Sequence, residues 1–263
     1  MIKYLVSANT NIGNTKKINQ DAALIMEGES DDGKKILLAC VCDGMGGLSM
    51  GEVASGVMIQ RTKEWFTNDF PPILFRQETL DFMAIQNSLN HLVDNVNNEL
   101  SLIADIDDSC GTTCVLLLTD GEEYMTMNVG DSRIYKINGN IEQLTKDQTF
   151  VQREIDLGHI TEKEAATHPR RSVLLQCIGA SEEVIPEYTI GELKENDGFM
   201  LCSDGFRHKI TLKEFLELID FNKLDNEEEM HEAGEKCIHL NMQRKERDNI
   251  TVILVHPIHD EVE

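Results

Sequence analysis

The chain has 263 residues, 41% of them apolar, with 47 acidic against 24 basic side chains and a formal net charge of −23. Such an excess of acid opposes nucleic-acid binding, which rests on phosphate neutralisation by lysine and arginine. No apolar run approaches the roughly 20 residues that span a bilayer, and the N-terminal MIKYLVSANTN is too short and polar for a signal peptide. The expectation is a soluble, cytoplasmic monomer that binds neither nucleic acid nor membrane. Seven cysteines, four of them (Cys40, Cys42, Cys114 and Cys202) inside apolar runs, read as free buried thiols in a reducing compartment.

In chain order, residues 4–10, 22–27 and 35–43 read as strands, the last a nearly continuous apolar run suited to a sheet covered on both faces. A helix is predicted over 50–68, with Ala54, Val57, Met58 and Trp65 on one side, and must stop before Pro71-Pro72. A longer helix is predicted over 79–104, where Ile85, Leu89, Leu92, Val93, Val96, Leu100 and Ile103 keep the three-four spacing. Three strands follow over 112–119, 123–129 and 132–137, with hairpin-type turns at Asp120-Gly121 and Asn138-Gly139. The stretch 145–180 is polar and partly helical, a candidate lid or surface subdomain. Strands return at 187–190 and 198–202, helices at 212–219 and 227–241, and a last strand at 250–255.

Nothing in this order reads as a linker: prolines number five, and there is no Gly/Ser run, low-complexity stretch or repeat. A single domain over 1–263 is expected. Helices grouped after blocks of strands, without strict alternation, predict an α+β architecture of two sheets covered by helices and argue against a parallel dinucleotide-binding sheet.

Four aspartates stand at the ends of apolar runs: Asp43 in LLACVCDGMGG, Asp131 in YMTMNVGDSRIY, Asp204 in GFMLCSDGF and Asp248 in RDNITVILV. Taken singly each has an ordinary reading, Asp-Gly being a common turn dipeptide and Asp248 a possible cap. Taken together they suggest carboxylates gathered around a hard cation, since Mg²⁺ and Mn²⁺ prefer carboxylate, carbonyl and water oxygens whereas zinc or iron would call for His and Cys. Gly44 offers a carbonyl beside Asp43, and Asp21 in NQDAA is a fifth candidate. An aspartate bridging two cations would form a site able to acidify a water and clamp a phosphoryl group.

The ordered set GNTKKINQD (13–21), CDGMGG (42–47), GTT (111–113), VGDSRIY (129–135), LTKDQT (144–149), HPRR (168–171), CSDG (202–205) and RDNITV (247–252) resembles the metal-dependent protein phosphatase family, type 2C, and its compact bacterial members most closely. The resemblance implies a four-layer α/β/β/α sandwich, two mainly antiparallel sheets flanked by helix pairs, with a flap subdomain near 147–180 beside the substrate cleft. It implies two Mn²⁺ or Mg²⁺ ions, bridged by Asp43, with the Gly44 carbonyl on one and Asp204 and Asp248 completing the other. Asp21 would hold metal-bound waters, and Asp131 would join Asp204 at a weaker third site. The implied activity is hydrolysis of phosphoserine and phosphothreonine on proteins, the targets of a Ser/Thr protein kinase, by direct attack of a metal-bridged water.

Departures from the family pattern sharpen the expectation. Lys16 stands where relatives usually carry an arginine that grips the substrate phosphate; lysine keeps the charge without the two-pronged donor, and a solvated surface lysine is the other reading. Met45 occupies the position of a histidine that eukaryotic members use as a proton donor. Gln20 replaces an acid, and Gln148 a frequent histidine to which no mechanism attaches. Two rivals follow: a phosphatase dedicated to one regulatory partner, of the anti-sigma-factor antagonist type, and a pseudophosphatase that only binds phosphoproteins.

Overall fold

Alternation along the strands decides the architecture. In β3 (Lys35–Gly46), Leu37, Ala39 and Val41 point one way while Ile36, Leu38, Cys40 and Cys42 point the other, and all seven are buried. A strand apolar on both faces has to lie inside, with another layer on each side. The structure, a computed structural model, describes residues 2–30, 33–46, 50–74, 80–103 and 110–259.

One sheet has the order β1 (Ile2–Asn11), β11 (Ile250–His259), β10 (Gly198–Cys202), β7 (Arg133–Ile137), β8 (Ile141–Gln143). The other runs β2 (Asp21–Glu29), β3, β5 (Cys114–Thr119), β6 (Glu123–Val129), β9 (Glu187–Glu192), with β4 (Cys110–Thr112) paired to the end of β3. Every strand pairing among the described residues is antiparallel. Between the sheets lies a core that includes Val41, Val115 and Leu117 from one and Phe199, Leu201, Ile253 and Val255 from the other. Outside the second sheet, α1 (Gly51–Asn68) and α3 (Phe82–Ile103) bury Met58, Trp65, Ile85, Leu89, Val93 and Leu100. Outside the first, α7 (Leu212–Leu218) and α8 (Glu227–Gln243) bury Phe215, Met230, Cys237 and Ile238. This is the expected four-layer sandwich.

Local chemistry sets the helix starts. Thr211 and Glu214 form a reciprocal capping box on α7, and Asn226 accepts from Glu229 N at 3.0 Å at the start of α8, whose first turn holds three glutamates facing the positive end of the helix dipole.

The structure differs from the expected elements in a few places. The strand expected over 112–119 breaks at Thr113 into β4 and β5. The short β8, α2 (Pro71–Leu74), α4 (Phe150–Asp156), α5 (Glu162–Ala165) and α6 (Asp204–Arg207) join the predicted set. Strand β11 runs four residues past the predicted end and contains Pro257, which is tolerated because β10 pairs only as far as Val255 and leaves that edge open. The predicted ends of the long helix, Thr79 and Ala104, lie outside the described residues, as does Gly47 of CDGMGG.

Candidate active site

The next residue in phase with Leu37, Ala39 and Val41 is Asp43, so the alternation that builds the inter-sheet core also delivers a carboxylate to the end of the gap between the sheets. Asp21, first residue of β2, is its direct cross-strand partner. On the opposite sheet Ser203 follows Leu201 in phase, and its Oγ donates to Asp21 Oδ2 at 2.8 Å. Asp204 comes next, at the start of α6. Asp43 does not end its strand as the sequence suggested, because β4 extends the ladder from Gly44 to Gly46.

Asp248 precedes β11 by two residues. Its N–H donates to Glu246 Oε1 at 3.1 Å, and its Oδ1 accepts from Asn249 N at 2.9 Å. Asn249 is buried and serves as a clasp: its Oδ1 accepts from Gln20 N at 2.9 Å, and its Nδ2 donates to Ile12 O at 3.0 Å and Ile18 O at 3.2 Å. The loop so held carries Lys16, whose Nζ lies 2.6 Å from Asp248 Oδ1. Two glycines permit the backbones to close this far. A Cβ on Gly44 would stand 2.1 Å from Gly51 O, and one on Gly205 2.1 Å from Asn249 O.

These segments enclose a cavity of about 270 Å³ lined by Lys16, Gln20, Asp43, Gly44, Met45, Thr113, Asp131, Ser172, Leu174, Asp204 and Asp248. Six of the seven site residues expected from sequence meet there, and the seventh, Asp21, is the cross-strand neighbour of Asp43. Lys16 is therefore no detached surface lysine. Ser172 and Leu174 come from the 147–180 segment expected to lie beside the cleft.

The charge balance is lopsided. Burial, then Asp21, Asp204, Asp131 and Asp248, push the Asp43 carboxyl well above the usual carboxylate range. Burial pushes Asp21 up to about 7 although the hydroxyls of Thr251 and Ser203 pull it down, with Asp204 and Asp248 adding to the rise. Burial and Asp204 raise Asp131 to about 7 against the opposing pull of Arg207. Carboxylates this desolvated want positive charge.

Divalent cations fit the donors present. Asp21 Oδ1 and Asp204 Oδ1 are buried with no hydrogen-bond partner, and every candidate ligand is oxygen, the set that suits Mg²⁺ or Mn²⁺. Among the described residues these carboxylates form no trio of oxygens within 4.8 Å of one another; the group that does come so close is Cys40, Cys42 and Cys114. The three thiols are buried on the other face of β3 from Asp43, with Sγ–Sγ separations of 3.6 and 3.8 Å, and do not reach the cavity.

Three polar side chains in the site's support, Asn249, Glu246 and Arg207, escaped the sequence reading, and Gln148 was noted there without a role. Gln148 accepts from Gly130 N at 2.8 Å and from Gln176 Nε2 at 2.9 Å, tying the 147–180 segment to the turn that carries Asp131. Arg207 Nη2 donates to the Asp131 carbonyl at 2.9 Å. The RDN and KDQT motifs flagged two of these positions without indicating what they hold.

The profile of the family described as Protein phosphatase 2C matches residues 13–254. The serine/threonine phosphatase stp of Listeria monocytogenes is 28% identical over 250 residues, 94% of this chain and 93% of its own length. The serine/threonine protein phosphatase PstP of Mycobacterium tuberculosis is 32% identical over 218 residues, 82% of this chain; the chain spans only 40% of PstP. Among solved structures, Stp1 of Staphylococcus aureus superposes with a TM-score of 0.79 at 30% identity, covering 98% of this chain and 96% of that one. The catalytic domain of PstP, solved in complex with two manganese ions, gives a TM-score of 0.76 at 26% identity over 98% of this chain and all of that one. The chain belongs to the protein phosphatase 2C family of metal-dependent enzymes. Its activity is that of a protein serine/threonine phosphatase.

Proposed function

We propose that this enzyme removes phosphate from phosphoserine and phosphothreonine on proteins by direct attack of water, with no covalent intermediate, at a centre of two Mn²⁺ or Mg²⁺ ions held by Asp43, the Gly44 carbonyl, Asp204 and Asp248, with Asp21 behind them. The observation that carries the reading is the convergence of Asp43, Asp204 and Asp248 on one cavity, backed by orphaned oxygens on Asp21 and Asp204. The cations would supply Lewis-acid charge for the phosphoryl oxygens and an acidified water for in-line attack.

The chain's own residues do the rest. Asp43, whose carboxyl is surrounded by Asp21, Asp204, Asp131 and Asp248, is the residue that would hold both cations. Lys16 brings an ammonium to the rim for the substrate phosphate, as a point charge. Met45 and Leu174 line the cavity with apolar surface, which thins out competing water and strengthens every charge interaction inside. Met45 has no ionisable proton, so that position cannot act as an acid for the leaving alkoxide. Phosphoproteins are the substrates, and the flanking 147–180 segment supplies their contact surface through Ser172 and its neighbours.

Phosphate release from a phosphothreonine peptide tests this reading. Turnover with added Mn²⁺ that disappears after chelation and dialysis, and returns with the ion, is the expected result; full turnover in excess chelator would overturn it.

A further inference from the structure

Asp131 reaches the cavity with a cation already beside it. Arg207, last residue of α6, ends with its Nη2 3.6 Å from Asp131 Oδ2 and 2.9 Å from the Asp131 carbonyl oxygen. The same Nη2 lies 3.4 Å from Asp147 Oδ2. That contact is the shorter of the two carboxylate contacts, but Arg133 also holds both Asp147 oxygens, at 2.7 and 2.8 Å, whereas Arg207 is the cation paired with the Asp131 carboxylate. The side chains of Arg207 and Asp131 are 13% and 12% exposed, so water screens their interaction poorly. Arg207 Nε is buried without a hydrogen-bond partner, so the polar contacts of this side chain are made at its outer end.

A guanidinium keeps its charge at any working pH and cannot leave Asp131 without abandoning the carbonyl as well. A divalent cation on the Asp131 carboxylate would sit within a few ångströms of it, and like charges at that separation in a poorly screened pocket repel strongly. We propose that Arg207 is a built-in counter-cation for Asp131, so that this chain carries two divalent-ion positions and gains a third, Asp131-dependent one only when Arg207 is removed. The inference rests on the reading of Asp43, Asp204 and Asp248 as ion ligands, and it gives Asp131 a different role from the one the resemblance implies.

Equilibrium dialysis against Mn²⁺, with ions counted per chain, tests it without reference to turnover. The wild type is expected to saturate at two ions, and Arg207→Gln to take up a third with an affinity roughly tenfold or more above any third event in the wild type; Arg207→Lys should stay at two. Three ions of equal affinity in wild type and Arg207→Gln, or two in both, would overturn the proposal. Because Arg207→Gln also loses a contact to Asp147, Asp131→Asn in the otherwise native chain gives a second reading. Its ion count should remain two, and loss of an ion would show that Asp131 is a ligand. A wild type that binds no ion would overturn the proposed function itself, an outcome distinct from either of these.

Discussion

Lys16 departs from the family pattern and the structure gives it a definite partner. Its ammonium lies 2.6 Å from Asp248 Oδ1 at the rim of the cavity, and Asp248, Asp43 and Asp204 all favour its charged form even though burial opposes it. If it meets the substrate phosphate in ground and transition states alike, Lys16→Ala should raise KM with little change in kcat, by the equivalent of about 1–3 kcal/mol for a lost charge-assisted hydrogen bond. Lys16→Arg should hold or lower KM. Steady-state kinetics on a phosphopeptide decide it, and unchanged KM in both variants would leave Lys16 as a partner of Asp248 alone. At this scale the acidic ligand candidates were legible because most of them stand at the edge of an apolar run, where a charge is conspicuous. The supporting roles of Asn249, Glu246, Gln148 and Arg207 were not, because these residues lie in loops or in a single helical turn, where no periodicity distinguishes a buried polar side chain from a solvated one.

At the scale of elements, the site depends on how closely the start of α6 approaches the turn before β11. Gly205 makes that approach possible: a Cβ there would meet Asn249 O at 2.1 Å, and Asp248 Cβ at 3.2 Å. Gly205→Ala should therefore lower stability by about 1–3 kcal/mol through overpacking, and should weaken Mn²⁺ binding as well, since it pushes Asp204 and Asp248 apart. Calorimetric melting with and without the ion checks both effects; a variant with native Tm and ion affinity would mean that the contact is slack. The strands and long helices were legible because their faces are buried at period two or at three-four spacing. The break at Thr113 was not. There the side chain replaces a ladder carbonyl, Thr113 Oγ1 accepting from Asp43 N at 3.0 Å while its own N–H donates to Asp43 O at 2.9 Å. In the sequence Thr113 is one more β-branched residue in a strand-like run. Short pieces such as β8 and α2 carry too few residues for any period to appear.

The whole molecule, at a net charge of −23, gathers part of its excess acid in one poorly solvated cavity. Ion binding should consequently stabilise the fold, and the gain should depend on pH. Without a cation, Asp21, with its carboxyl raised to about 7, contributes stability that is full below the ordinary aspartate range near 4 and is lost as pH rises through about 7; Asp43 is raised in the same direction. A cation reverses this, because those protons must leave before it can bind. The rise in Tm on adding Mn²⁺ should thus be large above pH 7 and shrink as pH falls towards 5, whereas a rise independent of pH would mean that the ion binds elsewhere. The most direct test of the account is the turnover of Asp43→Asn on a phosphothreonine peptide at saturating Mn²⁺, with the fold checked by circular dichroism. Since changes to groups merely supporting metal ligands cost about 10–100-fold, replacing the carboxylate at the centre of the cluster should cost at least about 100-fold in kcat with the fold intact; near wild-type turnover would contradict it.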